Sequence, residues 1–130
     1  MENINDLVSV FIVTRNRPAL LLRAVKSVIS QSYNEIELII VDDNSDQSSE
    51  ELVNVTISDS KRNISYKYLM NEKQMGACFS RNKAISNCNG KFTTGLDDDD
   101  YFLKNRIAEF IKHFDPKYSF LCSPVQAIVG

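Results

Sequence analysis

Two stretches, Val8-Ser-Val-Phe-Ile-Val13 and Ile36-Glu-Leu-Ile-Ile-Val41, are rich in β-branched residues and almost continuously apolar. A strand with one wet face alternates apolar and polar residues. A strand covered on both faces does not, and such strands belong to parallel sheets sheathed by helices. The sequence between the two runs supplies a crossover helix. After Val13, Thr14-Arg-Asn-Arg-Pro18 allows a helix to begin at Asn16 or Arg17, with Pro18 suited to the first turn. From Ala19 to Ser30, Leu21, Leu22, Val25, Val28 and Ile29 recur at steps of three and four. They form one apolar face, with Arg23, Lys26 and Ser27 mostly opposite.

The same alternation continues. Asp46 to Glu50 can cap a second helix carried by Leu52, Val53 and Ile57. Ile64 to Met70 alternates as a strand, with Tyr66 and Tyr68 as packing residues, a role also assigned to Tyr101. Asn71 to Gly76 is a loop, and Ala77 to Asn87 a third helix with Phe79, Ala84 and Ile85 on its inner face. Asn89-Gly90 turns into a strand that ends at an acidic cluster. Leu103, Ile107, Phe110, Ile111 and Phe114 mark a fourth helix, stopped by Asp115-Pro116. Ser119 to Val129 reads as extended, with Pro124 implying an edge or a bend. Strand and helix in turn, four times over, predict an α/β fold: an open, mostly parallel sheet with helices on both faces. A chain of 130 residues suffices for one core, so a single domain is expected over residues 1–130.

In open α/β sheets, ligands bind beyond the carboxyl ends of the strands. Thr14-Arg15-Asn16, Asp42-Asp43-Asn44-Ser45 and Asp97 to Asp100 would all reach that edge. The third group is chemically the most demanding. Two carboxylates about 6 Å apart repel by roughly 3 kcal/mol at an effective dielectric near 20. Such a cluster stays in water, takes up protons, or holds a cation. Asp97 and Asp99 are two apart, so in an extended chain they project to the same side. Oxygen ligands of this kind suit Mg²⁺ or Mn²⁺, which keep several waters and accept phosphate oxygens, so the cluster reads as a metal site for a diphosphate.

The charge balance narrows the partners. A net charge of −2 and a pI near 5.4 provide no basic footprint for nucleic acid. No apolar run approaches the roughly 20 residues of a membrane span, and Met1 to Asp6 is too polar for a secretory signal. Cys78, Cys88 and Cys122 are odd in number and lack Cys-x-x-Cys spacing, the pattern of reduced, packing thiols in a cytoplasmic protein. His113, the only histidine, falls at a helix end and reads as a surface residue.

Five pieces in order carry a resemblance: Val8 to Arg17, Ser30-Gln31-Ser-Tyr33, Glu37 to Ser45, Gly76 through Ser80-Arg-Asn-Lys-Ala-Ile85, and Leu96 to Asp100. Together they resemble the nucleotide-sugar-binding half of a family 2 glycosyltransferase, whose fold is called GT-A and is Rossmann-like. The resemblance covers Val8 to about Phe114. It implies an inverting enzyme with a nucleoside-diphosphate sugar donor, UDP- or dTDP-type, and a carbohydrate or lipid-linked acceptor. Asp43 matches the acid that accepts a hydrogen bond from the base, and Asp98 would lie against the ribose hydroxyls. Asp99 and Asp97 would hold Mn²⁺ or Mg²⁺, with Thr14, Arg15, Asn16 and Arg81 completing the nucleotide site. Lys73 is an alternative to Arg81 at the phosphates. Two positions depart from the family, which often has proline at Val13 and an aromatic residue at Arg15. The Arg15 guanidinium plane can stack on the base in its place. The catalytic base is expected beyond Gly130, in a longer enzyme of which this chain is the amino-terminal part. Any peripheral membrane association would run through those missing parts.

Simpler readings stand beside these. Asp97 to Asp100 alone is a solvated acidic loop, and Asp42-Asp-Asn-Ser45 alone is a helix cap. Arg17 reads as a surface charge, although its sign is unhelpful at a helix start, which favours a ligand role for Arg15 or Arg17. Ile39 to Asn44 also resembles the acidic pair of phospho-accepting receiver domains, which carry that pair on the first strand and a lysine on the fifth. A non-catalytic nucleotide- or metal-binding remnant is the remaining alternative.

Overall fold

A computed structural model describes residues 6–120. Most of the expected extended segment Ser119 to Val129, with Cys122 and Pro124, lies outside the described residues. Strands β1 (Val8–Thr14), β2 (Ile36–Asp42), β3 (Ser65–Met70) and β4 (Phe92–Gly95) alternate with helices α1 (Pro18–Ile29), α2 (Glu50–Ser60), α3 (Ala77–Ser86) and α4 (Arg106–Lys112). The strand order is β3-β2-β1-β4, and every pairing is parallel.

Handedness explains how the helices divide. The chain steps outward from β1 to β2 to β3, and right-handed crossovers place α1 and α2 on one face. It then returns past β1 to reach β4, so the same handedness sends α3 to the opposite face. The packing agrees. Val8, Val10 and Ile12 of β1 and Ile36, Leu38 and Ile40 of β2 pack with Leu21, Ala24, Val25 and Val28 of α1, Val53 and Ile57 of α2, and Ile107 of α4. The other face is thinner: Ile39, Val41 and Ala84, with Phe11, Leu69 and Cys88 against them. Each fully buried aliphatic side chain contributes about 1.5–3 kcal/mol, so the first face carries most of the hydrophobic stabilisation.

Several expectations change. Phe79 and Ile85 are exposed; of the expected inner-face residues Ala84 alone meets the sheet, joined by Ser80. Small side chains bring that helix close, and Phe11 fills the remaining space. Leu103 precedes α4 and is 73% exposed, because α4 begins only at Arg106. Cys78 is exposed rather than packed, and Tyr101 lies at the surface under the Arg23 guanidinium, 5.2 Å from its ring centroid. Tyr66 and Tyr68 do pack against the larger core. His113 caps the end of α4 and sits 3.3 Å from Glu109. Gly95 leaves room for Phe11: a Cβ there would lie 2.7 Å from the ring tip, and the ring would have to shift.

At the amino edge of the sheet, a buried polar cluster ties β1, β2 and the turn before β4. Glu37 accepts hydrogen bonds from the Ser9 hydroxyl and from Asn89 through both its backbone and its side chain. Burial pushes the Glu37 carboxyl up, but those donors outweigh it and hold the group below its usual range. Arg62, just beyond α2, donates to the carbonyls of Ile29, Gln31 and Tyr33, where α1 ends. A cation there complements the helix dipole.

Candidate donor-binding and metal site

The reversal in strand order makes a switch point between β1 and β4, where open α/β sheets place their ligands. Thr14 ends β1 and ties its two sides together. Its backbone carbonyl accepts from Asp43 N–H at 2.9 Å, and its hydroxyl donates to Asp98 Oδ2 at 3.0 Å. The side chain is buried, so Thr14 frames the site.

On the β2 side, Asp43 is 5% exposed and well supplied with donors. Its Oδ1 accepts from Asn71 Nδ2 (2.9 Å) and Met75 N (2.7 Å), and its Oδ2 from Gly76 N (3.0 Å). Burial pushes this carboxyl up, yet the Met75, Asn71 and Gly76 donors and the nearby Arg15 charge carry it below its ordinary value. Lys83 Nζ donates to Asn71 Oδ1 at 2.9 Å, which orients the Asn71 amide toward Asp43. Gly76 adopts φ +92°, a conformation that favours glycine. Asp42, fully buried, accepts from Ser45 N and the Tyr68 hydroxyl, which fixes the loop carrying Asp43. Burial and Asp42 push the Tyr68 phenol up to about 12.

Asn16 and Asn44 both have positive φ, which asparagine tolerates better than most residues. Asn16 N donates to Ser45 Oγ, and Asn16 Oδ1 accepts from Asp46 N, so Asn16 laces the two loops together. Arg15 Nε is buried and has no hydrogen-bond partner.

On the β4 side, the acidic segment is a turn rather than an extended chain. Asp100 N donates to Asp97 O at 3.0 Å. The turn gathers oxygens of Asp97, Asp99 and Asp100 within 4.8 Å of one another, all on exposed side chains. Asp98 points the other way, 8% exposed, with Thr14 on Oδ2 and Arg17 Nη1 3.3 Å from Oδ1. Burial pushes the Asp98 carboxyl up; Thr14 and Arg17 offset this only in part, and Asp99 and Asp97 add to it. Arg17, read from sequence as a surface charge, also lies 3.5 Å from Asp99 Oδ2. Arg81 stands 3.9 Å from Asp97. Arg23 donates to the Asp99 backbone carbonyl at 2.6 Å. Lys73 lines a shallow hollow beside Met75 and Lys83.

The role of Gln31 was not visible in sequence. Its amide donates to Ser27 O and Leu103 O and accepts from Ile107 N, pinning the chain after the acidic turn to the end of α1. The available signal was its place in Ser30-Gln31-Ser-Tyr33, one of the pieces that carry the family resemblance.

The family model for glycosyl transferase family 2 matches residues 9–129. The chain belongs to glycosyl transferase family 2. Among relatives, the putative colanic acid biosynthesis glycosyl transferase WcaA of Escherichia coli K12 is 41% identical over 113 residues, 87% of this chain and 39% of that protein. The Escherichia coli UDP-Glc:alpha-D-GlcNAc-diphosphoundecaprenol beta-1,3-glucosyltransferase WfaP is 37% identical over 109 residues, 84% of this chain and 41% of that protein. The chain thus spans about two-fifths of the length of these relatives. A mannosyltransferase from Pyrobaculum calidifontis, solved with GDP-Man and Mn²⁺, superposes with a TM-score of 0.74. It shares 18% identity, covers 83% of this chain and 32% of its own, and speaks to the fold alone. The family 2 chain is thus an α/β protein of the GT-A type, and family membership sets aside the receiver-domain alternative. Among the described residues, no helix is long and apolar enough to cross a membrane.

Proposed function

We propose that this chain is the donor-binding domain of an inverting glycosyltransferase that uses a UDP- or dTDP-sugar. The acceptor is a hydroxyl on a carbohydrate or a lipid-linked saccharide. The observation that carries this reading is the hydrogen-bonding state of Asp43. An ionised carboxylate has about four acceptor sites, and three protein donors already use Asp43. Room remains for one more donor, on the Oδ2 side. The single N3–H of uracil or thymine matches that vacancy. Guanine presents adjacent N–H donors that call for both oxygens, and cytosine, whose ring nitrogen carries no hydrogen, could donate only through its exocyclic amine. Arg15, charged beside Asp43 and with Nε unpartnered, offers a plane to stack on the base or a donor for its carbonyl.

Asp97 and Asp99, joined by Asp100, form an oxygen-only ligand set that fits Mn²⁺ or Mg²⁺. A divalent ion held there supplies charge neutralisation for the departing nucleoside diphosphate. Arg81 stands by for the phosphates. Asp98 fixes the turn from the ribose side through Thr14. Asn16 shapes the loop that carries Arg15. We place it in the cytoplasm, in bacterial surface-polysaccharide synthesis.

Calorimetric titration with UDP, GDP, CDP and dTDP, with and without Mn²⁺, tests the reading. The expected result is a preference for UDP or dTDP of about tenfold or more, lost in Asp43→Asn. The Mn²⁺ enhancement should vanish in Asp99→Ala. Equal, metal-independent, weak binding of all four nucleotides would overturn the proposal and favour a non-catalytic remnant.

A further inference from the structure

We propose that Arg17 is the built-in counter-ion of the acidic turn, and that a divalent ion entering at Asp99 displaces it. The inference rests on the metal reading above and concerns what occupies Asp99 beforehand. Three like charges crowd the turn, and three arginines surround it, each in a different way. Arg23 takes a backbone carbonyl, and Arg81 lies at 3.9 Å from Asp97. Arg17 approaches the side chain of Asp99, at 3.5 Å from Oδ2.

Its position is otherwise unfavourable. Arg17 is the residue that begins α1, where the helix dipole disfavours a positive charge. The same Nη1 lies 3.3 Å from Asp98 Oδ1, and Asp98 is in turn fixed by Thr14. Arg17 thus has two anchors of unlike character: a buried one at Asp98 and a half-exposed one at Asp99. A metal ion needs the lone pairs of Asp99 and repels the guanidinium beside them. Leaving Asp99 does not detach Arg17 from the turn, because Asp98 retains it. Exposure of both Arg17 and Asp99 keeps the competition modest, since exposed ion pairs are weak.

Titration of the 130-residue chain with MnCl₂ alone, read by calorimetry and by the loss of free Mn²⁺ signal in electron paramagnetic resonance, tests the exchange. Arg17→Gln should bind Mn²⁺ about threefold more tightly than the parent at low salt, with the gap closing as ionic strength rises. Arg17→Lys, which keeps the charge but loses the planar fork, should fall between the two. Arg23→Gln removes an equal charge without freeing a carboxylate and should tighten binding clearly less than Arg17→Gln. Unchanged or weaker affinity in Arg17→Gln overturns the proposal, as does equal tightening in Arg23→Gln. If parent and Arg17→Gln both fail to bind Mn²⁺, the metal reading itself falls. Binding by both with equal affinity removes only the exchange.

Discussion

Asp43 and Asp99 stand on either side of Thr14 and solve opposite problems. Asp43 is buried, ionised and surrounded by donors from the loop that joins β3 to α3. Asp99 is half exposed, crowded by other acids and balanced chiefly by arginines that water screens. The first group is set in place by folding and waits with one acceptor site open. The second is held loosely by folding and, on the proposed reading, is completed by a cation. One rim of the sheet therefore joins a preformed half to an unfinished half.

The largest effect should come from dismantling the preformed half. Asp43→Ala leaves three buried or half-buried donors without their acceptor and should destabilise the fold by about 3 kcal/mol in urea unfolding. The same carboxylate gives the acid limb a defined sign. Its folded pKa lies below its ordinary value of 3.8, so the ionised form favours the folded state. The stability it contributes is complete above that ordinary value and is lost as pH falls through the lowered one. Asp43→Asn should accordingly flatten the loss of stability on acidification, as followed by circular dichroism across that range.

An intermediate effect is expected one shell further out. Tyr68→Phe removes a donor from the fully buried Asp42 and should cost about 1–2 kcal/mol in the same unfolding experiment. The smallest effect belongs to the unfinished half. Asp100→Asn relieves like-charge repulsion among exposed groups and should stabilise the metal-free protein by about 0.5 kcal/mol or less. A thermal-shift measurement with and without MnCl₂ checks it: the variant should gain less from the ion than the parent. A loss of several kcal/mol in Asp100→Asn would mean that the acidic turn is as fully built as Asp43.

Legibility from sequence followed burial. The double-sided burial of β1 and β2 and the three-four spacing in α1 announce those elements directly. The apolar spacing in α3 misled, because Ser80 and Ala84 face the sheet while Phe79 and Ile85 face outward. Small residues that permit close packing leave no hydrophobic signal. Asp43 and the acidic run were visible as residue types at strand ends. Their surroundings were not: the turn at Asp97 depends on one backbone hydrogen bond, and the Gln31 link to Leu103 joins residues 72 positions apart. Arg17 was read as a surface charge because sequence cannot show which carboxylates a helix-start arginine will meet.

Thr14 has one further consequence. Its carbonyl accepts from Asp43 and its hydroxyl donates to Asp98, so a shift of the β1 terminus is felt at both. On the proposed reading, whatever free energy the ion lends to the nucleotide, the nucleotide must return to the ion in equal measure. Replacing Thr14 by valine, which fills a similar volume without the hydroxyl, would uncouple the pair while leaving each able to bind alone.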